Sequence, residues 1–229
     1  MRRNIALITL VICALGVSAA SATECNYDIK NTSDKEFFDV GIVLRGHRTF
    51  SEFWNDLGDG APTITYSGGT TNPTTTLHWK KVPAAPIRPG DWVHFGFTTP
   101  GGGCPCIDVF WTDDCHNRVE GSFVGAAQNH LNGTTYEITN NSFLPITVTN
   151  PRAACQKFPL ELGALNATNE YLSQAMRPIG SSTSTTLAPG ETWTIPFNPC
   201  PECYCVLNFQ TSGEGLSAVL SPYAQERAP

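Results

Sequence analysis

Cysteine residues could either bind metal ions or form disulfides in this protein, and their spacing recurs along the sequence. Cys104 and Cys106 form one Cys-x-Cys pair, Cys203 and Cys205 form a second, and Cys200 stands three residues before the second pair. Thiolates at such short spacing suit soft metal ions such as Cu(I) or Zn²⁺. The same sulfurs form disulfides in an oxidising compartment, so the location of the chain decides between the two chemistries.

The N-terminus indicates export. Residues 1–22 begin with Arg2 and Arg3, continue as an apolar run and end in the small-residue sequence Ala20-Ser21-Ala22, which is typical of a secretory signal peptide. The apolar run is too short to span a membrane comfortably, and no later stretch approaches the required length. We therefore expect a secreted (extracellular) or periplasmic protein without membrane insertion.

Cleavage of the signal peptide removes Cys13 and leaves an even number of cysteines in each half of the chain. These are Cys25, Cys104, Cys106 and Cys115 in the first half, and Cys155, Cys200, Cys203 and Cys205 in the second. Even counts in an exported protein favour disulfides, two in each half, over a metal site. Four cysteines permit three pairings, so the connectivity stays open. We expect no resident metal and no cofactor.

Charge and motifs argue against nucleic-acid binding and against catalysis. Without Arg2 and Arg3 the chain keeps 12 basic residues against 20 acidic ones, a net charge of about −8, and it contains no Lys/Arg cluster that could bind phosphates. The five histidines show no metal-ligand spacing. The chain lacks a Gly-x-Ser-x-Gly, a His-Glu-x-x-His and a Gly-rich phosphate loop. The sequence therefore predicts a protein that is not an enzyme.

A longer pattern that includes the Cys-x-Cys pairs also occurs twice. Residues 87–97 place Pro-Gly-Asp before an alternating apolar stretch, and residues 187–197 place Pro-Gly-Glu before a similar one. In both, a Cys-x-Cys then opens the next strand. The recurrence predicts two tandem copies of one module. We expect domains at 23–124 and 135–229, joined by a linker at 125–134.

Short strands separated by turn signals predict an all-β sandwich in each copy. A short helical insert is also expected in each, over 49–57, where Thr49 and Glu52 form a capping box, and over 168–176. The Pro-Gly-acidic entry to a strand resembles the tandem immunoglobulin-like modules common in exported proteins. This resemblance implies two tandem immunoglobulin-like β-sandwich domains that bind or space other molecules, and it carries no catalytic residues over.

Strand alternation predicts a candidate binding face on the first module. When the two repeated stretches are aligned, the inward positions of residues 193–197 correspond to those of 93–97. This alignment turns Trp92 and His94 outward, and the same alignment of the following strand turns Asp108 inward. The residues expected on the outward face are Trp92, His94, Ile107, Val109 and Trp111. Because an apolar surface of this size is rarely left exposed to water, we expect it to contact the second module or a partner. The alternative is a register offset that turns Asp108 outward and so avoids burying an unpaired carboxylate.

These features predict a secreted, disulfide-stabilised, non-catalytic binding or structural protein whose partner is an extracellular protein or a glycan. One alternative is an exported metal-binding protein that uses the Cys-x-Cys hairpins. Another is a carbohydrate-binding module in which Trp54, Trp79 or Trp92 stacks on sugar rings. Sequons at Asn31, Asn132, Asn140 and Asn166 do not establish glycosylation, because roughly three would arise by chance at this composition.

Overall fold

The computed structural model describes residues 22–58, 60–82, 85–100, 104, 106–120, 124–160, 162 and 175–228. Within them the chain is all-β, with fifteen strands and no helix. No helix in this part of the chain has the length and apolar character needed to cross a membrane. The expected signal peptide lies outside the described residues, apart from Ala22.

Valine, isoleucine, threonine and aromatic residues, which favour a pleated backbone, are frequent in the longer strands. In chain order the strands are β1 (Ala22–Asn31), β2 (Val40–Arg45), β3 (Glu52–Asn55), β4 (Thr63–Ser67), β5 (Thr74–Trp79), β6 (Trp92–Pro100), β7 (Cys106–Trp111), β8 (Ala127–Asn132), β9 (Thr135–Asn140), β10 (Ile146–Gln156), β11 (Arg177–Pro178), β12 (Ser184–Leu187), β13 (Thr192–Pro196), β14 (Tyr204–Ser212) and β15 (Ala218–Arg227).

The strands form three antiparallel sheets. The four-stranded sheet has the order β4-β5-β2-β7, and the three-stranded sheet has the order β13-β9-β8. The eight-stranded sheet runs β11-β10-β14-β15-β1-β6-β3, with β12 also paired to β10. This largest sheet therefore combines strands from both halves of the chain.

The last strand, β15, joins the two halves. On one side it pairs with β14, and on the other it pairs with β1 over eight residues, where Tyr27 lies opposite Pro222 and Ile29 opposite Leu220. Its neighbours on the two sides thus come from opposite ends of the sequence. Backbone hydrogen bonds consequently run without a break from the second half into the first.

Two large apolar clusters and a smaller third one pack on these sheets. The first consists of residues from the first half together with Ala218, Leu220 and Ala224 of β15. The second lies between Ala127 and Ala228. Fully buried aromatic side chains dominate the first cluster, and each stabilises the fold by about 1.5–3 kcal/mol. These are Tyr27, Phe37, Trp79, Phe95, Phe97 and Trp111.

The strand register recurs between the halves. Tyr27 of β1 pairs with Phe95 of β6, and Tyr136 of β9 pairs with Ile195 of β13. Both tyrosines are fully buried. The outer partners also correspond, because β15 lies beside β1 as β8 lies beside β9.

Two expectations about local structure are wrong. The helix expected over 49–57 is not formed, because residues 52–55 form β3 and pair with the edge of β6. There Trp54 lies across Gly96, where a Cβ atom would collide with the indole ring. The linker expected at 125–134 contains β8, which is hydrogen-bonded to β9. The helix expected over 168–176 falls almost entirely outside the described residues.

Candidate functional site

Two of the residues predicted for the binding face lie instead in the first core. Trp111 is fully buried, stacks on Phe37 at a ring-centroid distance of 5.1 Å, and donates from Nε1 to Ser217 Oγ over 3.1 Å. Val109 is equally inaccessible to solvent. The expected exposed apolar face of Ile107, Val109 and Trp111 is therefore wrong.

A β-bulge in β7 explains the difference. The adjacent β2 residues Val43 and Leu44 lie opposite Asp108 and Cys106, so Ile107 has no partner in the ladder. One extra residue reverses the side-chain alternation downstream of it. The register offset weighed as the alternative thus describes Asp108 and Val109 correctly, while Ile107 occupies the bulge.

Asp108 is turned out of the core and is neutralised there. Its Oδ2 lies 2.7 Å from Nη1 of Arg118, whose guanidinium also covers the Phe110 ring at 5.0 Å. Burial raises the pKa of Asp108, and the Arg118 charge opposes that rise. The bulge therefore avoids an unpaired carboxylate in the core, which would cost several kcal/mol.

His94 lies on the face of the eight-stranded sheet that points away from the first core, but it is buried. Its Nδ1 is 2.7 Å from Oδ1 of Asp28, and its backbone N–H donates to Oδ1 of Asp56 over 2.9 Å. Burial raises the pKa of Asp56, and hydrogen bonding from His94 opposes that rise. Tyr223 adjoins the pair, and burial together with the Asp28 carboxylate raises its pKa to about 12.

A segment of the second half covers part of this face. Beyond β10, Leu160 exchanges two hydrogen bonds with the Gln225 side chain of β15, of 2.7 and 3.1 Å. Leu162 and Met176 are buried against Tyr223. His94 keeps only 7% of its surface exposed, so the Asp28–His94 pair is an internal polar contact rather than an open site.

The chemistry available to the Asp28–His94 pair is limited. A carboxylate on Nδ1 orients the imidazole and leaves Nε2 as the atom that could exchange a proton. Nε2 is buried and has no hydrogen-bond partner among the described residues. No serine or cysteine of the described chain hydrogen bonds to this atom. The sequence offered one signal for this pair, an ionisable residue between two apolar neighbours in each strand, as in Tyr27-Asp28-Ile29 and Val93-His94-Phe95.

A second buried carboxylate, Asp39, gathers several donors. Its Oδ2 is 2.6 Å from His116 Nδ1, 3.2 Å from His78 Nε2 and 3.0 Å from Thr112 Oγ1. Burial acts to raise the pKa of Asp39, but hydrogen bonds from the Lys81 amide, His116 and Thr112 together outweigh it and leave the pKa below its usual value. This cluster ties β5 and the turn after β7 to the entrance of β2.

Only Asp113, Asp114 and Cys115 bring three possible metal ligands within 4.8 Å of one another in the described part of the chain. Asp113 Oδ1 already accepts hydrogen bonds from the backbone N–H groups of Cys115 and Asn117, at 3.0 and 2.8 Å. This arrangement is ordinary turn chemistry for aspartate. The trio is exposed or half-exposed and offers no enclosed coordination shell.

Six of the eight cysteines expected in disulfides are paired, each within its own half. The bonds are Cys25–Cys104, Cys155–Cys205 and Cys200–Cys203. The expectation for Cys106 and Cys115 is wrong, because both are free. Cys106 begins β7 and Cys115 lies beyond its end, so the strand separates them by roughly 17 Å or more, far beyond disulfide reach.

The same bonds remove the paired thiolates on which a Cys-x-Cys metal site depends. Cys104, Cys203 and Cys205 are oxidised, and only Cys106 keeps a thiol, whose pKa burial raises far above normal. A metal ligand needs the thiolate. The hairpins therefore do not present the ligand set that the metal-binding alternative requires.

The tryptophans considered for sugar stacking are not arranged as a platform. Trp79 is fully buried, and Trp54 packs on Gly96 and donates from Nε1 to Asn26 Oδ1 over 2.6 Å. Trp92 is half-buried, with the Lys30 ammonium 5.9 Å from its ring. None of the three presents a free ring face beside another exposed aromatic.

One open groove spans the two halves and contains Ile107 of the bulge. It has a volume of about 550 Å³, and Asn141 of the second half forms part of it while donating from Nδ2 to the Cys106 carbonyl over 2.9 Å. None of its lining residues is acidic, so the exposed Arg45 has no carboxylate neighbour there. The lining residues are Arg45, Thr71, Asn72, Pro73, Thr74, Ile107 and Asn141. Only Ile107 was expected at a binding surface. Pairing of β2 with β5 places Arg45 opposite Thr74, and Asn141 joins the groove where the two halves meet.

No family model, curated protein or solved structure matches this chain.

Proposed function

We propose that this protein is a secreted or periplasmic, disulfide-stabilised, non-catalytic binding module. In this proposal it consists of two immunoglobulin-like β-sandwiches, copies of one unit, that share a sheet. The observation that carries the proposal is the double pairing of β15 with β14 and β1, which joins the two halves in one continuous sheet. A rigid scaffold with surface loops suits recognition of a partner.

The disulfides support location outside the cytoplasm, where such bonds persist. Cys25–Cys104 ties β1 to the chain that leads into β7, and Cys155–Cys205 joins neighbouring residues of β10 and β14. The recurring strand register supports the duplication. A non-catalytic role is supported by the enclosure of the Asp28–His94 pair, in which His94 keeps only 7% of its surface exposed.

The groove between the halves is the proposed binding surface. Its hydroxyl and amide groups can hydrogen bond to a polar chain, and Arg45 can pair with a carboxylate in bidentate fashion. Its lining contains no aromatic ring, which makes a polar peptide segment with an acidic side chain a better ligand than a sugar that needs stacking. The proposed partner is therefore an extracellular protein that presents such a segment.

Capture of partners from the native extracellular medium tests this proposal. The mature protein is immobilised, and the partners it retains are compared with those retained by Arg45→Glu. The control is Arg88→Glu, another exposed arginine, which lies beside Glu36 and does not line the groove. Reversal of one charge in the groove should weaken binding at least tenfold, which corresponds to about 1.4 kcal/mol.

Retention of the same partner by Arg45→Glu would rule out the groove as the binding surface. Selective binding on a glycan array would favour the carbohydrate-binding alternative. N-terminal sequencing of the exported protein should begin at Thr23, because cleavage is expected after Ala22.

A further inference from the structure

Strand β4 is exposed on both of its faces. All five residues of Thr63–Ser67 are exposed, including Ile64 at 37% and Tyr66 at 52%. Ile64 lies opposite Leu77 and Tyr66 opposite Thr75, and both partners in β5 are buried. Because paired residues point to the same side of a sheet, Ile64 and Tyr66 project on the core side but extend past the core.

Apolar and polar side chains alternate within β4, as they do in a strand that has one face buried. Ile64 and Tyr66 lie on one side, and Thr63, Thr65 and Ser67 lie on the other. Such alternation usually marks a half-buried strand. In the single chain the His47 ring lies edge-on to Tyr66 at 5.4 Å, and the Tyr66 hydroxyl donates to the Arg48 carbonyl over 3.3 Å. These contacts still leave 37% of Ile64 and 52% of Tyr66 exposed, so the apolar face of this strand is only partly covered.

The free edge of β4 also lacks the features that normally prevent strand pairing. Charged residues, proline and very short length protect sheet edges. Other strands of this chain show them, since β3 carries Glu52, β11 contains Pro178 and β13 ends in Pro196. Thr63–Ser67 contains neither a charge nor a proline, and it lies at the end of its sheet.

We propose that β4 is the docking edge for β4 of a second copy of this chain, paired antiparallel with Thr65 opposite Thr65. In this register Ile64 meets Tyr66 of the other copy, and Thr63 meets Ser67. Pairs of aromatic and β-branched residues, and pairs of hydroxyl residues, stabilise antiparallel strands. The same patch serves both copies, as a two-fold axis requires.

A second copy fits this edge better than a foreign strand for a physical reason. Paired antiparallel with a second copy, the strand places apolar residues opposite apolar ones and hydroxyl residues opposite hydroxyl ones. It carries no charge that would select an oppositely charged partner. Five paired residues cover less than the roughly 1,200 Å² typical of stable complexes, so the dimer should be weak and dependent on concentration. The inference does not depend on the groove proposed above.

Sedimentation velocity of the full mature chain tests this proposal by charge exchange. The wild type should approach twice the monomer mass as its concentration rises from micromolar to near millimolar. Thr65→Lys and Thr65→Glu should each remain monomeric, because like charges would face one another across the axis. An equimolar mixture of the two variants should dimerise again. Thr194→Lys, an exposed position on β13 at the edge of another sheet, should dimerise like the wild type.

The design separates pairing from folding. Since Thr65 is exposed, both variants should keep the wild-type circular dichroism spectrum, and the recovery of dimer in the mixture shows that each is folded. A wild type that stays monomeric throughout overturns the proposal. So does a dimer that persists in Thr65→Lys, or a mixture of the two variants that remains monomeric.

Discussion

Asn31 of β1 and Asn140 of β9 make the same hydrogen bonds in the two halves of the chain. Asn31 donates from Nδ2 to the Lys35 and Ile87 carbonyls at 2.8 and 3.1 Å. Asn140 donates from Nδ2 to the Leu144 and Leu187 carbonyls at 2.9 and 3.0 Å. The serine two residues later returns hydrogen bonds to the asparagine Oδ1 in both cases.

This correspondence gives the two sequons a structural role. Both asparagines are fully buried, and their amides hold the β1 and β9 ends against the Pro-Gly turns that lead into β6 and β13. An amide engaged in this way cannot carry a glycan in the folded protein. Asn132, by contrast, is exposed in the turn between β8 and β9.

Replacement of Asn31 by alanine should destabilise the protein by about 3 kcal/mol, because two buried carbonyls lose their donor. Asn140→Ala should have a similar effect. The matched control is Asn132→Ala, which removes an exposed amide and should change stability by less than about 0.5 kcal/mol. Urea unfolding measures all three. Equal effects at the three positions would contradict a structural role for the buried pair.

The different burial of Trp111 and Trp92 in the first half leads to a second prediction. Trp111→Ala should cost about 3–5 kcal/mol, since it empties a fully buried site and removes the hydrogen bond to Ser217. Trp92→Ala should cost less than about 1.5 kcal/mol, because its ring is only half-buried. Thermal unfolding of both variants checks the order, and the reverse order would place Trp92 rather than Trp111 in the core.

Much of the fold follows from alternation in the sequence. Val93, Phe95 and Phe97 belong to the first core, and Leu207 and Phe209 belong to the second, as the pleat predicts. All-β character was equally predictable from short strands and turn residues. Local patterns of this kind suffice where one face of a strand is buried and the other is not.

What the sequence could not reveal depends on distant partners. The bulge at Ile107 exists only in relation to β2. The helix expected over 49–57 is displaced because the edge of β6 offers hydrogen bonds to Glu52–Asn55, and so short a helix is marginal on its own. Pro222 argues locally against a central strand. Even so, β15 continues through it between β14 and β1.

The number of free thiols provides a third prediction. The mature chain should show two thiols when it is denatured without reductant, since three disulfides hold the other six sulfurs. In the native state only Cys115 should react, because Cys106 is fully buried. Its reaction should be slow at neutral pH, since the carboxylates of Asp114 and Asp113 raise the pKa of the Cys115 thiol. Absence of any thiol after denaturation would show that the remaining two cysteines are bonded after all.

The His130–Glu226 contact between β8 and β15 predicts a pH dependence. A hydrogen bond to Glu226, 2.8 Å from Nδ1, raises the pKa of His130 against the opposing effect of burial, and Glu137 adds to the rise. A pKa raised in the folded state stabilises the protein below the unfolded pKa of about 6.5, and this stabilisation is lost as pH rises through the folded pKa.

The wild type should therefore lose on the order of 0.5 kcal/mol more stability than His130→Gln between about pH 6 and pH 9, because the half-exposed pair is screened by solvent. Urea unfolding at both pH values measures the difference, and the comparison with the variant cancels the titration of all other groups. Parallel pH profiles for the two proteins would contradict the assignment.

Disulfide trapping of β1 against β15 tests most directly whether both halves share one sheet. Lys30 lies opposite Val219. In a Cys115→Ser background, Lys30→Cys with Val219→Cys should form a bond under mild oxidation, because opposed residues of antiparallel strands lie about 4.5–5.5 Å apart. Thr32→Cys with Val219→Cys, two residues out of register, should not. Peptide mapping that finds the first bond and not the second supports the shared sheet, whereas no bond, or both bonds equally, would contradict it.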